Sequence, residues 1–263
     1  MPKTIVITGA SAGIGAAAAA QLAARGDRVV LAARRGNELE ALAQRLGPNT
    51  LPVMTDVTVR AEVERLRDRA IERFGAIDVW LNNAGRGISR LVANLTDDDV
   101  DQMITVNVKS ALYGMQAVLP HFQARGAGHI VNVSSFLSRV PAASIRAAYS
   151  ASKAALNSLT ANLRMDLAAT HPGIHVTLVM PGLVSTDFAQ HAVHGTPPMP
   201  PGAAAAPPQT AEEVAAVILQ VIDHPVAEVF TNPALGGVVR RYFDDVGAFE
   251  TGMRGPAAEP RAT

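Results

Sequence analysis

The chain has 263 residues, in which 23 Lys plus Arg balance 23 Asp plus Glu, and neither sign forms a block. That excludes the basic footprint of a nucleic-acid binder, and the absence of cysteine excludes disulfides and thiolate metal sites. With 48% apolar but only 4% aromatic residues, a sizeable core is available and must be built mainly from Ala, Val, Leu and Ile.

Met1-Pro2-Lys3 leads straight into the apolar run Thr4–Thr8, without the hydrophobic region and cleavage site of a secretory leader. No apolar run approaches the ~18 residues of a membrane span, so a soluble cytoplasmic chain with no membrane partner is expected. Further β-branched runs follow at Arg28–Ala33, 50–55, 77–81, 129–134, 175–180 and 228–231, separated by longer helix-like segments. The alternation predicts an α/β fold: a doubly wound, mostly parallel seven-stranded sheet with helices on both faces, in one domain over 1–263. The runs are too continuously apolar for strands with one wet face. Thr96 with Asp99 forms a capping box at the start of a helix over 97–123, with Leu95 placed to staple against Val100. Thr210 with Glu213 opens a helix over Ala211–Asp223. Segment 193–209 carries six prolines and four consecutive alanines, and 183–209 reads as a substrate lid. Beyond Pro233 the periodicity fades, and 252–263 reads as a loose tail.

Thr8-Gly9-Ala10-Ser11-Ala12-Gly13-Ile14-Gly15 follows the first strand and opens a helix over 16–25. Glycines there let the backbone turn tightly and approach a pyrophosphate at the positive end of the helix.

A second pattern lies in Tyr149-Ser150-Ala151-Ser152-Lys153, at the start of a helix over 147–171. Leu156, Leu159, Leu163 and Leu167 define its inward stripe, with Tyr149 on the stripe and Lys153 about 40° away. A phenol titrates near pH ~10 and is a poor proton donor or acceptor at neutrality, and a nearby ammonium should lower that value. A lysine that snorkels to solvent explains the pair equally well. The surroundings favour chemistry. Ser134 and Ser135 end the fifth strand, where α/β sheets place ligands, and a serine hydroxyl there can hydrogen-bond a substrate oxygen. Asn107 lies on an apolar stripe with Met103, Ile104, Val108 and Ala111, so it serves either as a structural hydrogen-bonding group or in a relay.

The glycine turn, Asn82-Asn83-Ala84-Gly85, Asn107, Ser135, Tyr149-x-x-x-Lys153 and Pro181-Gly182 occur in the order and near the spacing of the short-chain dehydrogenase/reductase family, which the chain resembles over roughly 3–231. The resemblance implies an NAD(P)-dependent enzyme that interconverts a carbonyl and a secondary alcohol. Tyr149 would be the general acid or base and Lys153 would lower its pKa and hold the nicotinamide ribose. Ser135 would orient the substrate, and Asn107 would anchor a water that relays protons. Asp56 would hold the adenine amino group, with Val57 packed nearby. The cofactor cleft would be completed by Gly9, Ser11, Gly13, Ile14 and Gly15 at the phosphates, and by Asn83, Ala84 and Gly85. Pro181, Gly182, the Val184 amide and the Thr186 hydroxyl would lie near the carboxamide. Ser135 precedes Tyr149 by one residue more than the commonest family spacing, which makes Ser138 a secondary candidate for the serine role. A homodimer or homotetramer through the helices over 97–123 and 147–171 is also implied.

The second strand ends Leu31-Ala32-Ala33-Arg34-Arg35, with two guanidiniums where an acid would favour the free ribose of NAD. A guanidinium suits a 2′-phosphate, so NADP(H) is expected, with Arg34 the main contact and Arg35 stacking on adenine. The alternative is a solvated arginine pair. The seven histidines show no metal-ligand spacing, and no metal is expected. His191 and His194 fall in or beside the lid, and Arg86 follows the Asn-Asn-Ala-Gly turn; each faces either substrate or solvent. Trp80 reads as packing and Asp97 to Asp99 as helix-capping acids. Two other functions fit the scaffold: a cofactor-binding sensor without turnover, and a dehydratase or epimerase. Segment 183–209 is apolar and carries few charges, which favours an apolar or aromatic carbonyl over a phosphorylated or coenzyme A-linked one.

Overall fold

Apolar residues at every position of a strand require cover on both faces, and the first strand shows how the sheet meets that demand. In β1 (Thr4–Thr8) all five residues are buried, with Ile5 and Ile7 in one apolar layer and Val6 in the other. The computed structural model describes residues 2–195 and 207–253. β2 (Arg28–Ala33), β3 (Thr50–Met54), β4 (Val79–Asn82), β5 (Gly128–Val133), β6 (Ile174–Met180) and β7 (Glu228–Phe230) complete a sheet of order β3-β2-β1-β4-β5-β6-β7. Every pairing in it is parallel. The strand expected over 77–81 begins two residues later. The Ile77 amide donates to His121 Nε2 at 3.1 Å and its carbonyl accepts from the Arg125 guanidinium, which removes both from the ladder.

Helices α1 (Gly13–Ala24), α2 (Gly36–Leu46) and α7 (Ala211–Asp223) cover one face, and α3 (Arg60–Phe74), α5 (Ser110–Arg125) and α6 (Ala147–Ala168) cover the other. The aromatic-poor composition is felt in α1, where Ala17, Ala18 and Ala19 pack the helix onto the sheet. The order reverses direction between β1 and β4, so the carboxyl ends of these two strands open a crevice at the switch point.

Other expectations also need correction. The helix over 97–123 is α4 (Asp97–Ile104), a π turn over Thr105–Lys109, and then α5. The wider turn carries Asn107, whose amide group bonds the Arg86 backbone. Thr96 and Asp99 do form the capping box of α4, but Val100 is exposed and Leu95 packs instead with Ile88, Met103 and Tyr149. Beyond Pro233 the chain forms α8 (Ala234–Asp244) and α9 (Val246–Met253). Leu235 and Val238 of α8 bury against Phe136 and Val140, an apolar stripe that Gly236 and Gly237 dilute in the sequence. Gly252 and Met253 of the expected tail close α9, and its remaining residues, 254–263, lie outside the described residues. So does 196–206 of the expected lid. Among the described residues, no helix is long and apolar enough to cross a membrane.

Candidate active site

Gly9, in the left-handed region at φ 68°, turns the chain out of β1 towards α1. A side chain there would come within 2.9 Å of the Ala84 Cα, and one on Gly15 would overlap the Gly9 carbonyl oxygen. Two turns are therefore pressed together, and Asn83 sews them. Its side-chain amide donates to the carbonyls of Thr8 and Gly9 at 3.0 and 3.2 Å, while the amides of Asn83 and Ala84 donate to Thr8 Oγ1 at 3.0 and 3.1 Å. Ala12 caps α1 without a side-chain hydrogen bond. The positive end of α1 thus faces a glycine cradle, an arrangement that fits the pyrophosphate of a dinucleotide.

The cradle opens on a cavity of about 780 Å³, within the range of small-molecule and cofactor sites. Ser135, Tyr149 and Lys153 line it together with Gly9, Ser11, Gly13 and Ile14 of the glycine turn, Asn83, Ala84, Gly85, Pro181, Gly182, Val184 and Thr186, whereas Gly15 packs behind the turn on the Gly9 carbonyl. Lys153 is only 3% exposed, so it does not snorkel to solvent. Its ammonium donates to the Val133 carbonyl at 2.9 Å and lies 5.9 Å from the centre of the Tyr149 ring. Burial lowers the Lys153 pKa to about 8.

The Tyr149 phenol moves in the direction opposite to the sequence expectation. Burial raises its pKa, and the Ser135 hydrogen bond and the Arg146 charge oppose that rise without reversing it. The Lys153 ammonium, 5.9 Å from the ring centre, is itself spent on the Val133 carbonyl. Arg146 was missed in the sequence. It is the N-cap residue of α6, three positions before Tyr149, and that closeness in sequence was the available signal. Phe188 was missed too, and its ring meets Tyr149 edge-on with centroids 5.8 Å apart.

The two serine candidates separate. Ser135 lines the cavity, whereas Ser138 donates to the Ser135 carbonyl and accepts from Asn157 Nδ2 at 2.7 Å. Ser134 turns to α6, donating to Asn157 Oδ1 at 2.6 Å. Asn107, 1% exposed, accepts from the Arg86 amide at 2.9 Å and donates to the Arg86 carbonyl and Ser152 Oγ at 2.9 and 3.0 Å. Its carboxamide is therefore spent on holding the turn beside Gly85 and Lys153.

Arg34, Arg35, Asp56 and Val57 line the same cavity beside Ser11 of the glycine turn. Burial pushes Asp56 up, but the Thr58 amide and hydroxyl and the Arg34 charge outweigh it and leave the carboxyl lowered. Arg35 is not free to stack at will, since its Nη2 donates to Ser11 Oγ at 2.9 Å and its Nη1 lies 3.6 Å from Glu38. Trp80 is fully buried and donates to Asn82 Oδ1 at 2.8 Å, as packing on β4. Arg86 and His191 border the cavity, and His194 pairs with Asp99. Among the described residues, no group of three or more His, Asp or Glu is placed to hold a metal ion.

Comparison with known proteins agrees with this geometry. The chain is 37% identical over 188 residues to an uncharacterized oxidoreductase of Staphylococcus epidermidis, covering 72% of this chain and 80% of that one. The solved short chain dehydrogenase/reductase of Burkholderia phymatum in complex with NAD superposes with a TM-score of 0.83 at 27% identity, covering 100% of this chain and 98% of that one. An alcohol dehydrogenase from Thermococcus sibiricus, complexed with 5-hydroxy-NADP, superposes with a TM-score of 0.76 at 27% identity, covering 88% of this chain and 96% of that one. The sequence model of the short chain dehydrogenase family matches residues 3–196. A parallel sheet with its glycine cradle at the switch point, and a Tyr, a buried Lys and a Ser on one cavity, are thus those of an oxidoreductase, and the chain belongs to the short chain dehydrogenase family.

Proposed function

We propose that this oxidoreductase interconverts a carbonyl and a secondary alcohol with NADP(H). The observation that carries the reading is the convergence of the Tyr149 phenol, the Ser135 hydroxyl and the buried Lys153 ammonium on the cavity that begins at the glycine cradle. A nicotinamide bound there supplies or removes a hydride at the substrate carbon.

The chain's own groups handle the proton. With its pKa raised by burial, the Tyr149 phenol stays protonated at neutral pH, the form that donates to a carbonyl oxygen as it gains charge. Ser135, whose hydroxyl counters part of the rise in the phenol pKa, holds the substrate oxygen beside it. Lys153 keeps a positive charge in a water-poor wall, where it stabilises negative charge developing nearby and binds ribose hydroxyls. In the reverse direction Tyr149 must first lose its proton, so alcohol oxidation rises with pH. Asn107 holds the Arg86 backbone and so the wall between Gly85 and Lys153, and in this reading Asn107 also anchors a water that relays protons to Lys153.

Arg34 supports NADP(H) over NAD(H), as a guanidinium at the end of β2 inside the cavity. Phe136, Leu137, Leu183 and Phe188 give the substrate end an apolar wall, which suits an apolar or aromatic carbonyl. Loss of NADPH absorbance with a panel of ketones tests the activity. On a good substrate, Tyr149→Phe is expected to lower kcat by about a hundredfold or more, and full turnover by that variant overturns the mechanism.

A further inference from the structure

Asp99 does more than a cap requires. In the capping box its Oδ2 accepts from the Thr96 amide at 3.0 Å, which already completes the motif. Yet Arg90 Nη1 also donates to Oδ2 at 2.8 Å, and His194 Nε2 donates to Oδ1 at 2.8 Å. The carboxylate is 3% exposed, and hydrogen bonds from Thr96, His194 and Arg90 hold it far below the usual carboxylate range. Three pieces of chain meet on this one group: the start of α4, the 87–90 strap just before it and, from far along the sequence, the 187–195 segment.

The 187–195 segment walls the substrate end of the cavity through Asp187, Phe188, Ala189 and His191. Its internal bonds are local turns, such as Ala192 N–H to the Ala189 carbonyl at 3.3 Å and His191 N–H to Asp187 at 3.2 Å. Two backbone bonds join its end to the strap. The Val193 amide donates to the Gly87 carbonyl at 2.9 Å, and the Val193 carbonyl accepts from the Ser89 amide at 3.0 Å. Directly after it comes His194, the one non-glycine residue in the left-handed region among those described, at φ 63°. Side chains rarely adopt that conformation, and here it aims the imidazole at Asp99.

We propose that the Asp99–His194 pair is a clasp that holds the 187–195 segment, and Phe188 with it, over Tyr149, so that His194 is a positioning residue for substrate. The inference rests on the reading of this cavity as a carbonyl–alcohol site. It assigns Asp99 a second task beside the cap, and His194 a task that its exposed position in the sequence does not announce. Arg90 completes the clasp. Its backbone amide donates to the Ile145 carbonyl at 2.8 Å, which joins the strap to the start of the helix that bears Tyr149.

His194→Gly and His194→Gln test it. Glycine suits the backbone at φ 63° and removes the clasp, whereas glutamine carries an amide donor at comparable reach. In His194→Gly, hydrogen exchange at the Val193 and Ser89 amides is expected to speed up about fivefold or more while β1 amides stay protected. The KM for a ketone should rise by a similar factor, with kcat changing less and the KM for NADPH unmoved. His194→Gln should stay close to the wild type in each respect. Unchanged exchange in His194→Gly, faster exchange with an unchanged ketone KM, an equal rise in the NADPH KM, or a glutamine variant that behaves like glycine overturns the clasp. If the wild type reduces no ketone, the carbonyl–alcohol reading fails on its own, and the exchange comparison still decides whether the clasp exists.

Discussion

At the scale of single residues the site works by placing charges where water is scarce. Lys153 shows this most clearly. Its ammonium sits on the Val133 carbonyl in a wall 3% exposed, and burial brings its pKa down to about 8. Arg146 adds a second cation near the Tyr149 phenol, where its charge opposes the upward pull of burial. Arg34 also lines the cavity, and under the proposed function its planar fork would match the 2′-phosphate of NADP(H). Arg34→Ala is expected to raise the KM for NADPH about tenfold or more and to leave that for NADH much less affected. Steady-state kinetics with both cofactors checks this, and equal effects would remove the case for NADP(H). The Tyr149–Lys153 spacing was readable because both residues lie on one helix whose leucine stripe fixes direction. Whether the lysine would be buried or would snorkel was not, because both outcomes leave the same local pattern.

At the scale of elements, the strand–turn–helix from β1 to α1 depends on contacts that helix propensity alone misjudges. Replacing a helical glycine by alanine ordinarily stabilises by ~1 kcal/mol. Gly15 lies in the first turn of α1, and an added methyl would meet the Gly9 carbonyl oxygen and, at 2.7 Å, Asn83 Nδ2. Gly15→Ala should therefore destabilise, by about 1–3 kcal/mol, and weaken dinucleotide binding; thermal melting and cofactor titration check both. A gain in stability would mean that the two turns are less tightly apposed than described. The capping boxes of α4 and α7 were legible in full, since a cap is a matter of four consecutive residues. The π turn at Thr105–Lys109 was not, because the demand that creates it, Asn107 reaching the Arg86 backbone, comes from another segment. α8 escaped notice for a different reason: Gly236 and Gly237 thin a stripe that becomes clear only when Leu235 and Val238 are seen against Phe136.

At the scale of the whole molecule, stability depends on pH through groups far from the cavity. His129 of β5 is buried, with Nε2 on Thr177 Oγ1 of β6 at 2.8 Å, and its Nδ1 has no hydrogen-bond partner among the described residues. Burial, then the charges of His175 and Lys3, lower its pKa to about 3. The unfolded chain takes up a proton at this histidine below pH ~6.5 and the folded chain does not until about pH 3. More protons bound by the unfolded state means that stability rises with pH across that window. Acidification from pH 6.5 should therefore cost the fold up to ~1.4 kcal/mol per pH unit from this residue alone. Denaturant melts of the wild type and His129→Gln across that range check the slope, which should be shallower in the variant. Equal slopes would mean that His129 is protonated within the fold.

The sequence by itself determined the seven strands in chain order up to small shifts at their ends, the position of the glycine cradle and the spacing of Tyr149 and Lys153, because each is written in the pattern of neighbouring residues. It also fixed the capping acids and the cationic end of β2. The tertiary structure alone decided that Lys153 is buried, that Arg146 and Phe188 crowd the phenol, and that Asn107 is committed to the Arg86 backbone. It alone brought His194 to Asp99, 95 positions away. Burial and long-range hydrogen bonds arise from which surfaces meet when the sheet is covered on both faces, and no local pattern carries that information.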